Sequence, residues 1–136
     1  MKNNTFVAAY CRSARECDLS IKRQKLVLLS FAAEYGYADV RFYIDNGGSG
    51  NDPNRSALAA MNADIAAGKV SAVIAKDIAR VWRDVVKSLG WLDWLNSLGV
   101  AFNTADGAFD DNKSFLSFMR TLNEAVVRIP AESFLA

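Results

Sequence analysis

Apolar residues recur along this chain in two alternating rhythms. Thr5-Phe6-Val7-Ala8-Ala9 and the run 70–75 are short and continuous, as in strands buried on both faces. Val40, Phe42 and Ile44 alternate through a second strand over 40–44, and 100–103 reads as a fourth. Between them the period lengthens to that of helices, predicted over 18–35, 55–67 and 85–98. In the first helix Ile21, Leu28, Ala32 and Tyr35 share a stripe that Leu26, Leu29 and Ala33 widen. Ser20 or Asp18 is placed to cap it, and Gly36 stands where a left-handed residue is wanted. The stripe of the second is Leu58, Met61 and Ile65, with Gly68 ending it. The third carries two stripes, Val85-Leu89-Leu92-Leu95 and Trp91-Trp94-Leu98. They cover more than half its circumference, which points to a subunit contact. A polar loop over 104–113, with a short edge strand near Ala108-Phe109, leads to a last helical pattern over 114–128 that Pro130 stops. The alternation β-α-β-α-β-α-β predicts a parallel sheet between two helix layers, a three-layer α/β/α fold.

In such a sheet ligands bind beyond the carboxyl ends of the strands. Tyr10-Cys11-Arg12-Ser13-Ala14-Arg15 lies there, between the first strand and the first helix. Alone it is equally an ordinary loop with exposed arginines. It is not alone: Arg55, Arg80 and Arg83 occupy comparable places later. Arg80 and Arg83 are three apart, so one helical turn would put both on one face. Four guanidiniums converging on one crevice suit a phosphodiester, because arginine is always charged and offers paired donors to phosphate oxygens. Asp45 and Asp77 are placed to orient guanidiniums or hydroxyls, and Gln24 sits in the first helical turn nearby. The stretch 46–54 is rich in glycine and reads as a mobile active-site loop or a plain connection. No Gly-Lys-Ser/Thr follows it, so it is not a P-loop.

Composition narrows the chemistry further. A length of 136 residues suits one domain, over 1–136. The net charge of +1 excludes a generally basic DNA-coating protein, so any anion site comes from local clustering. Histidine is absent, which removes Ser-His-Asp and Cys-His catalysis. Cys11 and Cys17 have neither zinc-site nor redox spacing, and Cys11 is expected to be a small core residue. No apolar run is long enough for a membrane span, and the N-terminus lacks a signal-peptide core, so a cytoplasmic location is expected.

Tyr10-x-Arg12, Gln24, Asp45, Ser49-Gly50, Arg55 and Arg80-x-x-Arg83 resemble, in order and spacing, the catalytic domain of serine site-specific recombinases, the resolvase/invertase family. The resemblance covers about Phe6 to Asn103. It implies a flavodoxin-like, mostly parallel sheet with one antiparallel edge strand, a DNA substrate, and assembly into dimers or tetramers. In that family a serine attacks the DNA backbone and forms a phosphoserine bond, whose energy allows rejoining without ATP, metal or cofactor. Carried over, Arg12, Arg55, Arg80 and Arg83 would bind the scissile phosphate, supported by Tyr10, Gln24, Asp45, Ser49 and Asp77.

Three departures stand out. The family's nucleophile follows Tyr-x-Arg-x, and that position holds Ala14; Ser13 comes one residue early. Strand alternation would aim Ser13 away from the arginines unless a bulge re-aims it. Ala79 stands where an acidic residue often precedes the arginine pair, with Asp77 two positions earlier. The long terminal helix of the family is cut short at Pro130, and no DNA-binding domain is expected to follow within this chain. The leading expectation is a recombinase catalytic domain with impaired chemistry, Ser13 being the only rescue. The alternatives are a non-catalytic dimerising or regulatory module and a flavodoxin-like binder of small phosphates.

Overall fold

The computed structural model describes residues 4–47 and 55–110. Among them the chain forms β1 (Phe6–Ser13), α1 (Asp18–Tyr35), β2 (Val40–Asn46), α2 (Ser56–Ala66), β3 (Val70–Ala75), α3 (Val85–Ser97) and β4 (Ala101–Thr104). A single 3₁₀ turn, Ile78–Arg80, follows β3. The strand order is β2-β1-β3-β4, and every pairing is parallel. The chain steps from β1 to β2 in one direction, then crosses back past β1 to β3 and β4. Right-handed crossovers therefore place α1 on one face and α2 with α3 on the other. The order reverses between β1 and β3, and a crevice opens at their carboxyl ends.

The predicted α/β/α layering is what the chain adopts. The antiparallel edge strand is not seen among the described residues. Ala108 and Phe109 form no strand; they fold back on Thr104, whose N–H donates to the Phe109 carbonyl at 3.0 Å. The predicted helix over 114–128 lies outside the described residues.

β1 is longer than its apolar run. It continues through Tyr10-Cys11-Arg12-Ser13, so the stretch read as a loop is strand. Phe6, Ala8 and Tyr10 pack toward α2 and α3, while Val7, Ala9 and Cys11 pack toward α1. β1 and β2 stay in register from Val7↔Val40 to Ser13↔Asn46 without a shift. No bulge interrupts the strand end.

The first helix spans the predicted residues, and Gly36 closes it at φ 85° with its N–H on the carbonyls of Ala32 and Ala33. Its cap differs. Cys17 is the N-cap residue and makes no side-chain cap bond. Ser20 instead accepts from Gln24 Nε2 at 3.2 Å, and Asp18 accepts from Asn46 Nδ2 at 2.9 Å. The buried stripe is Ile21, Gln24, Leu28 and Ala32, narrower than the sequence suggested; Leu26 and Leu29 face outward at 60% and 48% exposure.

The subunit contact expected from α3 is not needed to cover it. Trp91, Trp94, Leu92 and Leu95 are buried within this one chain, against α2, the sheet and Phe109. Trp91 packs edge-on to Phe102 at 5.1 Å and donates Nε1 to Asn62 Oδ1 at 3.1 Å. Of its large apolar residues only Val85 and Val86, in the first turn, are exposed.

Candidate active site

The crevice is built where β1 outruns β3. The β3 ladder stops at Tyr10↔Ala75, leaving the backbone of Arg12 without a strand partner on that side. Gln24 of α1 completes the ladder. Its Oε1 accepts from Arg12 N–H at 3.1 Å and its Nε2 donates to Arg12 C=O at 2.9 Å. A primary amide offers the same acceptor and donor as a peptide group, so glutamine substitutes for one more strand residue.

The Arg12 side chain shares the Tyr10 face and turns toward the loop after β3. Nε donates to Arg80 C=O and Nη2 to Ala79 C=O, both at 2.9 Å. Arg55, next to the α2 start, arrives from the other side. Its Nη1 donates to Arg80 C=O at 3.2 Å and to the Tyr10 phenol at 3.1 Å, and its Nη2 donates to Val81 C=O. The guanidinium also lies over the Trp82 ring, 5.1 Å from its centre. Arg80 returns the contact, with Nη1 on Arg12 C=O at 3.1 Å. Arg12 and Arg55 thus lock one irregular loop through its own carbonyls, and Arg80 ties that loop back to β1.

Asp45 anchors the acidic side. It accepts from the Tyr10 phenol at 2.7 Å, and from the N–H groups of Ala57 and Leu58 at 2.9 and 3.0 Å. Arg55, the N-cap residue of α2, makes no cap bond itself, so a carboxylate from β2 caps the helix. The relay runs Arg55 to Tyr10 to Asp45. Burial, then the bond to Asp45, holds the Tyr10 phenol well above its ordinary pKa, so it stays a donor. Asp77 accepts from Arg80 N–H at 3.2 Å and lies 3.9 Å from its Nε.

Electrostatics sets this cluster apart. Burial lowers the Arg12 pKa first, and repulsion from Arg55 and Arg83 lowers it further. Arg12 and Arg55 are 1% and 3% exposed. Positive charge is crowded and poorly hydrated here, and an anion in the crevice relieves both penalties.

Arg83 does not share a helical turn with Arg80. The 3₁₀ turn ends at Arg80, buried Val81 and Trp82 anchor the next residues, and Arg83 emerges exposed. Its charge still reaches Arg12. Ser49 lies outside the described residues. Ser13 is held on the other face: with the ladder unbroken it follows Cys11 toward α1, and its hydroxyl donates to Arg15 C=O at 2.5 Å. Ala14 is exposed just past the strand end. Cys11 is fully buried, and burial pushes its thiol up to about 11, consistent with a core role.

The loop carbonyls and Trp82 are the parts that sequence reasoning missed. Main-chain acceptors leave no letter to read; Trp82, between the two arginines, was the available signal. Among the described residues no group of three or more His, Cys, Asp or Glu side chains is arranged to hold a metal. Nor is any helix there long and apolar enough to cross a membrane.

The profile of the family described as "Resolvase, N terminal domain" matches residues 7–133. No curated protein sequence matches significantly. Among solved structures, the N-terminal catalytic domain of TP901-1 integrase superposes with a TM-score of 0.77 at 24% identity, over 89% of this chain and 96% of that one. A resolvase family site-specific recombinase from Streptococcus pneumoniae gives 0.71 at 25%, over 89% and 87%. A serine recombinase from Sulfolobus solfataricus gives 0.58 at 16%, over 96% and 93%.

Proposed function

The chain belongs to the resolvase family, matching its N-terminal domain over residues 7–133, and we propose that its arginine crevice binds a DNA phosphodiester while the residue that should attack it is missing. Arg12, Arg55, Arg80 and Arg83 are the phosphate ligands in this reading. Tyr10, Asp45, Gln24 and Asp77 are positioning residues, and Ser49 is carried over from the family pattern. The chain acts as a serine recombinase catalytic domain in architecture, with strand transfer impaired.

The observation that carries the reading is the regular β1–β2 ladder through Ser13↔Asn46. An in-line attack needs a hydroxyl oxygen beside the phosphate, and orientation alone does not supply one. Arg12 and Ser13 leave the strand on opposite faces, and Ala14 carries no oxygen. Binding without a groove-reading element is expected to be weak, salt-sensitive and little dependent on sequence.

Assembly into dimers or tetramers belongs to the proposal too. Its support shifts from α3 to the outer face of α1, where Leu19, Leu26 and Leu29 are 56%, 60% and 48% exposed. Sedimentation at micromolar concentration tests it; a monomer throughout removes this part.

For the chemistry, the chain is incubated with a nicked suicide duplex that traps any protein–DNA bond. The reading expects DNA retention at low salt and no denaturant-resistant adduct. An adduct on the unaltered chain, lost in Ser13→Ala, would show that Ser13 attacks and that impairment is wrong.

A further inference from the structure

The cations of this chain are unevenly paired. Near the amino ends of the strands, Arg41 meets Asp39 at 3.3 Å and Lys69 meets Asp64 at 3.8 Å. Toward the carboxyl ends, Arg23 and Lys76 make no side-chain hydrogen bond or ion pair among the described residues. Both face one pocket of about 200 Å³, lined also by Ser20, Gln24, Leu19, Val27 and Cys17. Among the described residues no carboxylate lines it. Two cations from separate elements, α1 and the end of β3, therefore converge on a hollow that holds a hydroxyl and an amide but no counter-charge.

This pocket adjoins the arginine crevice through one residue. Gln24, 2% exposed, contributes to its lining, and the same amide donates to Arg12 C=O at 2.9 Å. Arg80 Nη1 donates to that same carbonyl at 3.1 Å. The Arg12 carbonyl thus links the two basic hollows. A DNA strand presents a phosphate about every 3.4 Å of helix axis, so a strand held at one hollow brings further negative charge to its neighbour.

We propose that Arg23, Lys76 and the Ser20 hydroxyl form a second phosphate subsite, holding a neighbouring phosphate of the DNA strand that occupies the arginine crevice. The proposal rests on the DNA reading above. The subsite contacts backbone oxygens alone. It raises affinity and fixes the direction in which the strand crosses the sheet edge, without reading bases.

The test is the salt dependence of binding to a short labelled mixed-sequence duplex, followed by fluorescence anisotropy. The full chain is compared with Arg23→Gln, Lys76→Gln and the double variant. The pair Lys22→Gln/Lys69→Gln serves as control: it removes the same charge, from outside the pocket. All these side chains are exposed, and circular dichroism verifies folding. Each lost phosphate contact lowers the slope of log K against log salt by about 0.9 on duplex DNA. Both cations hold one phosphate, so the expected result is a partial fall in each single variant and a fall of about one in the double, with the control slope unchanged. An unchanged slope in the double variant overturns the subsite while leaving the DNA reading standing. An equal fall in the control overturns it as well, because charge alone would then suffice. No binding by the unaltered chain at low salt overturns both.

Discussion

The two faces of β1 carry their polar groups differently. Toward α2 and α3, Tyr10 and Arg12 enter a network of at least seven hydrogen bonds that joins β1, β2, α2 and the loop after β3. Toward α1, Val7, Ala9 and Cys11 are apolar core, and the Ser13 hydroxyl donates two residues along its own chain, to Arg15 C=O. The first face holds charge under tension between distant elements; the second closes on itself. The proposed chemistry would need a hydroxyl on the arginine side of the strand, and the period of two parts Ser13 from Arg12.

Breaking the network side should cost most. Asp45→Ala strips the Tyr10 phenol of its acceptor and uncaps α2, and is expected to lower unfolding free energy by about 3 kcal/mol in denaturant titration. A loss below about 1 kcal/mol would mean that water replaces the carboxylate. Gln24→Leu removes the amide that extends the sheet. Arg12 C=O keeps Arg80 as donor but its N–H loses Gln24, so about 2 kcal/mol is expected. Ser13→Ala, on the self-contained side, should cost no more than about 0.5 kcal/mol, since only a local bond is lost. A cost as large as that of Gln24→Leu would place Ser13 in a wider network than its single bond to Arg15.

Alkali sharpens the same comparison. The Cys11 thiol is raised from 9.0 to about 11 by burial, so the folded state binds its proton more tightly than the unfolded chain. That contribution is complete below pH 9.0 and disappears as pH rises through about 11. Cys11→Ala should flatten this part of the stability profile. Tyr10, raised further, keeps the network face protonated beyond that window.

Most of the frame was legible in the sequence because it obeys periods. β3 and α1 span their predicted residues, and Arg12, Arg55 and Arg80 meet because parallel strands bring their carboxyl ends together. What was not legible depends on neighbours. The α3 pattern reveals an apolar circumference but not how many elements wrap it, and Phe109 supplies cover from a loop. The spacing of Arg80 and Arg83 promised one helical turn, yet burial of Val81 and Trp82 breaks it. The partners of Arg12 and Arg55 are main-chain carbonyls, which no side-chain pattern announces. For Ser13, alternation was readable beforehand; the absence of a bulge was visible only in the ladder.

The central claim is that an intact phosphate crevice has lost only its attacking oxygen. Its most direct test is Ala14→Ser, fused to a sequence-specific DNA-binding domain that presents a nicked suicide duplex, with the adduct mapped by mass spectrometry. The account predicts a phosphoserine bond at position 14 in the variant and none in the unaltered chain. Bound DNA with no adduct in Ala14→Ser, or an adduct mapped to Ser13 in the unaltered chain, would contradict it.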